Sequence, residues 1–274
     1  MAGRTQASPA QDSARPAEIE PLTNRLVVHR LSGALLPLAI RAGVHPNAVS
    51  VAGLVFGLLA AWFYHHWTDP RMALGGLAAM VAWHVCDGLD GTLARATGRT
   101  SALGRLLDGL ADYGTFIAVY LSLTFSLANP WLVLPLAVAS GIAHALQSAF
   151  YEAERATYIR RRRGQFHVPE RAAVGGPFER LYNNAEQLLG NRTRPFDERL
   201  AAMGPPAAAT AAAAWASAAA PRVRFLTLLS ANARTVAIFL ACITVGPVAF
   251  WLYELVALSL LAAAGGIRLR ALER

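Results

Sequence analysis

Lysine is absent from this chain: all 25 of its Lys and Arg positions are arginine. Together with its alanine-rich stretches, this usage fits a GC-rich bacterial gene and therefore a bacterial cytoplasmic membrane. Cysteine is nearly absent as well, and the two that occur, Cys86 and Cys242, fall inside long apolar runs. That placement speaks against a disulfide framework and against a thiol nucleophile. The histidines His65, His66, His84, His144 and His167 are scattered, and no Cys/His set stands at zinc spacing. Charge is sparse, at 15% of residues against 55% hydrophobic, with a mean hydropathy of +0.36. This is the composition of an all-α polytopic membrane protein rather than of a soluble core. The formal charge of +8 and a pI near 10.3 do not make nucleic acid an expected partner. No soluble nucleic-acid-binding module is present, and the arginines are distributed by loop, so topology and anionic membrane lipids account for them.

Apolar stretches long enough to cross a bilayer recur, and we expect six transmembrane helices, at about 48–66, 72–93, 103–127, 131–153, 231–246 and 248–266. Arg95, Arg99, Arg105, Arg155 and the run Arg160 to Arg163 lie on one set of loops with both termini, while the opposite loops hold only Arg71. By the positive-inside rule, both termini and the loop between the second and third spans face the cytoplasm. Residues 1–18 read as a disordered tail without the apolar core of a signal peptide. Residues 19–43 place Leu22, Leu26, Val27, Leu31, Leu35 and Leu36 at helical spacing among Arg25, Arg30 and Arg41, the pattern of an amphipathic juxtamembrane helix on the membrane surface. Residues 44–156 hold the first four spans, 157–224 a partly helical cytoplasmic insertion, and 225–274 the last two spans and a tail. The run Ala207 to Ala220 is too weakly apolar, and too close to prolines, to be chosen as a span. Gly53 and Gly57 form G-x-x-x-G, which serves helix packing within the bundle or between copies.

Four aspartates, Asp87, Asp90, Asp108 and Asp112, stand where the chain otherwise reads as membrane. On helices, Asp87 and Asp90 lie one turn apart on one face, as do Asp108 and Asp112. A short polar turn around Gly98 to Thr100 makes the two helices antiparallel neighbours, so the pairs can meet. Unpartnered, two such charges ~4 Å apart repel by about 4 kcal/mol at an effective dielectric of 20. Two divalent cations would cancel the quartet, and all-oxygen ligands select Mg2+ or Mn2+. Gly88, Gly91 and Gly104 permit close backbone approach, and Arg95 presents a planar fork to phosphate. The constellation describes a dinuclear metal site beside a diphosphate.

The pattern D-x-x-D-G-x-x-A-R-x8-G-x-x-x-D-x-x-x-D, intact from Asp87 to Asp112, resembles the signature of the CDP-alcohol phosphotransferase (CDP-alcohol phosphatidyltransferase) family. Upstream, Pro46-Asn47-Ala48-Val49-Ser50 resembles that family's P-N-x-[VL]-[ST] opening of the first transmembrane helix. The resemblance implies a membrane transferase of phospholipid biosynthesis that uses a CDP-linked lipid of the CDP-diacylglycerol type, a small polar alcohol and two divalent cations, and releases CMP. It implies that Asp112 takes the proton of the attacking hydroxyl. It further implies that the CDP moiety lies against Gly91, Arg95, Ser101 and Gly104 under Pro46 and Asn47, and that the protein is a homodimer. Inositol phosphate, glycerol phosphate, serine and other polyols all suit the core as acceptors. The alternative within the family is a CDP-choline- or CDP-ethanolamine-type donor with diacylglycerol as acceptor. The alternative from another class is an intramembrane cation transporter.

Polar residues at the ends of the fourth and fifth spans suggest an acceptor pocket, with Arg155 and Arg234 as its phosphate- or carboxylate-binding candidates. Glu254, in the middle of the last span, requires a buried partner that the sequence does not name.

Overall fold

The computed structural model describes residues 16–168 and 192–274; within them the side chains of Ala102, Leu103, Arg105, Leu106 and Asp108 are outside the description. Most of the expected 1–18 tail, and residues 169–191 of the expected insertion, therefore lie outside the described residues. Among those described, the secondary structure is entirely helical: α1 His29–Arg41, α2 Pro46–His65, α3 Pro70–Thr97, α4 Ala102–Phe125, α5 Pro130–Arg162, α6 Pro195–Ala202, α7 Pro205–Phe225, α8 Ala231–Thr244, α9 Pro247–Leu252 and α10 Ser259–Ala271. A π-helical turn, Asn24–Val28, leads into α1, and another, Tyr253–Leu258, joins α9 to α10.

Helix starts follow local chemistry. Six of these helices begin on proline, whose missing N–H is one the first turn could not bond in any case. The His45 side chain accepts the Asn47 N–H at the head of α2, and Asp69 accepts the Arg71 N–H at the head of α3. Gly98, at φ +65°, ends α3 in the left-handed region that a glycine tolerates.

Four of the described helical segments are long and apolar enough to cross a bilayer: Pro46–His65, Pro70–Thr97, Pro130–Arg162 and Pro247–Ala271. A fifth appears if α7 and α8 are taken as one broken span. The chain is thus a multi-pass integral membrane protein, and a count of six stays an expectation. The alanine-rich run, rejected as a span from its hydropathy, is a full helix that passes the length and apolarity test once joined to α8. The fourth expected span continues past residue 153 to Arg162.

The chain divides into two compact units. One comprises Pro21–Ser148 and Leu228–Ala263. In it α2 packs along both α3 and α4, while α1 and α8 pack on α3. Its core gathers Tyr64, Met80, Trp83, Val119, Leu123, Ile238 and Trp251, all at 5% exposure or less. Gly53 and Gly57 serve packing within this bundle: a Cβ on Gly57 would stand 2.9 Å from the Thr115 Cβ, and one on Gly53 3.3 Å from the Cys86 Cβ. Helix α1 and the turn leading into it bury Val28, Ser32 and Ala39 and leave Leu22, Leu26, Leu31, Leu35, Leu38 and Ile40 exposed. Gly88 makes room for it, because a Cβ there would lie 2.9 Å from Val28 Cγ1. Gly88 is therefore a packing position, not the open backbone that its place between two aspartates suggested.

The same unit supplies the partner for Glu254. Arg234 donates through Nε to the Glu254 carboxylate at 2.6 Å, and both residues are fully buried. Tyr120 and Ser140 also donate to that carboxylate, and Gln147 accepts from the Arg234 guanidinium at 2.7 Å.

The other unit comprises the described residues of 1–20, 149–227 and 264–274. Here Arg160 and Arg161 both donate to Asp197, at 3.1 and 2.7 Å, and Arg194 pairs with Glu154 and Glu273 at 2.9 and 2.8 Å. Arg161 is fully buried, with its guanidinium over the rings of Trp215 and Phe196. Two members of the Arg160 to Arg163 run, expected on a cytoplasmic loop, are therefore internal. Burial alone would raise the Asp197 carboxyl, but its hydrogen bonds from Arg161 and Arg160 outweigh that and hold it below the usual carboxylate range. Glu273 is lowered in the same way against desolvation, by Arg194 and Arg161.

Candidate active site

The turns at 66–69 and 98–101 fold α2, α3 and α4 back on one another, so that the start of α2, the end of α3 and the start of α4 share one end of the bundle. Counting along the helices at 1.5 Å per residue, Asp87 and Asp90 lie ~15 and ~10 Å from the end of α3, and Asp108 and Asp112 ~9 and ~15 Å from the start of α4. All four thus occupy one band of depth.

Asp87 and Asp90 line a narrow cleft together with Ser50 and Gly53 of α2, Trp83 of α3 and Ala111 of α4. Asp90 is buried, at 6% exposure, and Asp87 is exposed. Ser50, also buried, donates its hydroxyl to Asp90 Oδ2 at 2.6 Å. Trp83, one turn deeper than Asp87, carries a buried indole N–H without a hydrogen-bond partner.

Asp112 follows the cleft residue Ala111 on α4 and is half-buried. Asp108 is helical, but its side chain lies outside the described residues. Among the described residues, no three His, Cys, Asp or Glu side chains gather as a metal set. The donors that do meet are all oxygens, the set a hard divalent cation takes, and to that extent the residues present fit Mg2+ or Mn2+.

Around the mouth, the expected nucleotide contacts cluster at helix ends. Pro46 is buried at the first position of α2, and Asn47 Oδ1 stands 3.1 Å from where a Cβ on Gly104 would lie. Ser101 caps α4, its hydroxyl accepting the Gly104 N–H at 2.9 Å. The N-termini of α2 and α4, capped by His45 and Ser101, thus lie at one end of the bundle, and the positive ends of their dipoles favour an anion there. Arg95, on the last turn of α3, is exposed and folds back over its own helix: Nη1 stands 3.3 Å from where a Cβ on Gly91 would lie, and Nη2 contacts Thr92 Oγ1 at 3.4 Å.

The two acceptor candidates fare differently. Arg155 is half-buried in the second unit and donates through Nε to Glu152 at 2.8 Å. Arg234 is enclosed, and Glu254, Gln147, Ser148 and the Leu229 carbonyl all accept from it. Arg234 is thus held within the fold by its own partners, and its contact with the acceptor stays an expectation.

Sequence reasoning missed Ser50 and Trp83 as cleft residues. Both had a helical-spacing signal: Ser50 stands one turn after Pro46, and Trp83 at i−4 from Asp87 and i−7 from Asp90.

Residues 43–172 match the model of the CDP-alcohol phosphatidyltransferase family. The CDP-diacylglycerol--serine O-phosphatidyltransferase of Encephalitozoon cuniculi (strain GB-M1) is 31% identical over 128 residues, covering 43% of this chain and 33% of that protein. The archaetidylinositol phosphate synthase of Pyrococcus horikoshii is 37% identical over 70 residues, covering 26% of this chain and 35% of that protein. The chain thus spans about a third of the length of these two curated relatives.

Proposed function

We propose, from the CDP-alcohol phosphatidyltransferase domain that this chain carries over residues 43–172, that it moves a phosphatidyl group from a CDP-linked lipid to the hydroxyl of a small polar alcohol and releases CMP. The observation that carries the reading is the cleft in which Asp87 and Asp90 meet α2 and α4 below two helix N-termini. The family uses divalent metals. Asp87, Asp90, Asp108 and Asp112 would hold two such ions, which when bound supply charge neutralisation on the diphosphate and on the departing cytidylate.

The chain's own residues do the rest. Arg95 holds phosphate oxygens through its fork, and Gly91, Ser101 and Gly104 line the path of the nucleotide beneath Pro46 and Asn47. Asp112 accepts the proton from the alcohol. The alcohol oxygen forms its bond to the lipid-side phosphorus while the bond from that phosphorus to CMP breaks, and CMP leaves with the electron pair. Positioning and electrostatics supply most of the acceleration. A site close to the membrane surface lets a lipid donor and a water-soluble acceptor meet without either crossing. The exposed leucines of α1 and the arginines between them support a surface-lying helix beside it, on the cytoplasmic side by the distribution of arginine.

The Encephalitozoon cuniculi relative is a CDP-diacylglycerol--serine O-phosphatidyltransferase, which favours a lipid-linked donor over a soluble CDP-aminoalcohol. The two relatives differ in the product or acceptor that their names imply, so the alcohol is identified by experiment. Purified protein with Mg2+ is given labelled CDP-diacylglycerol and a panel of serine, glycerol phosphate, inositol phosphate and inositol, and CMP is measured. One alcohol is expected to stimulate CMP release strongly. CMP from CDP-choline with diacylglycerol instead would reverse the donor assignment. Metal flux into liposomes with no CMP from any pair would replace the enzyme by a transporter.

A further inference from the structure

We propose that Ser50 is a positioning residue that fixes the Asp90 carboxylate for metal binding and ties it to the first turn of α2. The inference rests on the metal-site reading above and adds a residue from a third helix to it.

The geometry is specific. Ser50 and Asp90 are 5% and 6% exposed, and the hydroxyl reaches Asp90 Oδ2 at 2.6 Å, within the about 2.5–2.7 Å of a hydroxyl bonded to a charged carboxylate. A serine in a helix ordinarily returns its proton to the carbonyl four residues back. Here that carbonyl, Pro46 O, is 3.4 Å away. One proton serves one strong bond, and the shorter contact is the one across to α3. The hydroxyl therefore gives its strong bond to its neighbour and only a long one to its own helix.

A carboxylate that accepts a fixed donor at one oxygen loses its freedom to rotate about the Cβ–Cγ bond. Partners that restrict a ligand in this way typically change metal affinity by about 10–100-fold when removed. Ser50 also shares its turn with Pro46 and Asn47, so a displacement at the start of α2 is carried to Asp90 through a single bond. Gly53, one turn further on, faces Trp83 with its Cβ position 3.6 Å from the indole Cδ1. The ring and the serine thus bracket the cleft from two helices.

The test uses the full chain in detergent with Mn2+ alone as probe, reading free Mn2+ by electron paramagnetic resonance. Ser50→Ala is expected to raise the apparent Mn2+ Kd about 10–100-fold, to shift the Mg2+ dependence of CMP release in the same direction, and to leave the KM for the alcohol within about twofold. Ser50→Thr, which keeps the donor, is expected to restore Mn2+ affinity. If the alanine variant does not fold, Ser50→Cys, with a weaker donor of similar volume, is expected to fall between alanine and wild type. Wild-type Mn2+ affinity in the alanine or cysteine variant, or a loss with threonine equal to that with alanine, would overturn the role of Ser50. An absence of Mn2+ binding in the wild type would instead overturn the metal site beneath it.

Discussion

Asp90 and Asp197 are the same side chain in two different settings, one in each unit. Asp197 is enclosed by Arg160 and Arg161 and takes the backbone N–H of Arg194, so its charge is answered from within the fold. Asp90 receives the neutral hydroxyl of Ser50 and borders a cleft that it shares with a second carboxylate. Guanidinium groups of the chain hold the first carboxylate in place; the pair at the cleft is where we propose that a cation from outside binds. Glu254 belongs to the first kind, since the chain itself supplies Arg234. The difference cannot be read from burial, because Asp90, Asp197 and Glu254 are all buried. It is read from what is turned toward them.

The sharpest way to break this comparison is at Asp112. Asp112→Asn is expected to lower CMP release by about 10²–10⁴-fold, the usual worth of a positioned base, while binding of the CDP-lipid persists in calorimetry. Near-normal turnover would remove Asp112 as the base. Asp197→Ala should act on the other side of the comparison: stranding two buried guanidinium groups costs about 3–5 kcal/mol, visible as a lowered unfolding temperature. Turnover per folded molecule should persist at low temperature. A stability unchanged from wild type would show that the arginine cluster does not depend on Asp197.

Arg95→Ala is smaller in effect. Loss of charge-assisted bonds worth about 1.5–3 kcal/mol should raise the KM for the CDP-linked donor by about 10–100-fold. An effect confined to the alcohol KM would contradict the assignment. The mildest test is pH. Asp197 and Glu273 are held below their ordinary values, so their stabilisation is complete above the unfolded values of about 3.9 and 4.3. It disappears as pH falls through the lower folded values. Acid unfolding should therefore steepen below about pH 4, and Asp197→Asn should flatten that limb.

The aspartate signature and the span-forming runs were legible in the sequence because each is a local property: residue type at helical spacing, or unbroken apolar length. Ser50 was quoted as part of a motif, yet its bond to Asp90 joins positions forty apart in sequence, which no local period encodes. Arg160 and Arg161 were legible only as topology signals on a loop. Their burial depends on Asp197, Phe196 and Trp215, brought back by a later segment. Arg234 and Glu254 were each singled out, but their mutual pairing needed the turn between α8 and α9 to be folded. The alanine run is helical, as expected of the insertion, and whether it crosses the membrane together with α8 is left open by its composition.

Gly88 lies between Asp87 and Asp90 in the chain, and on the back of that turn rests Val28. A methyl group at position 88 would push the leucine-studded first helix outward, and whatever tilts that helix presses on the same few atoms of backbone. The segment with the exposed leucines and the turn that bears the acids are thus separated by the width of one missing side chain, and a substitution at Gly88 disturbs both.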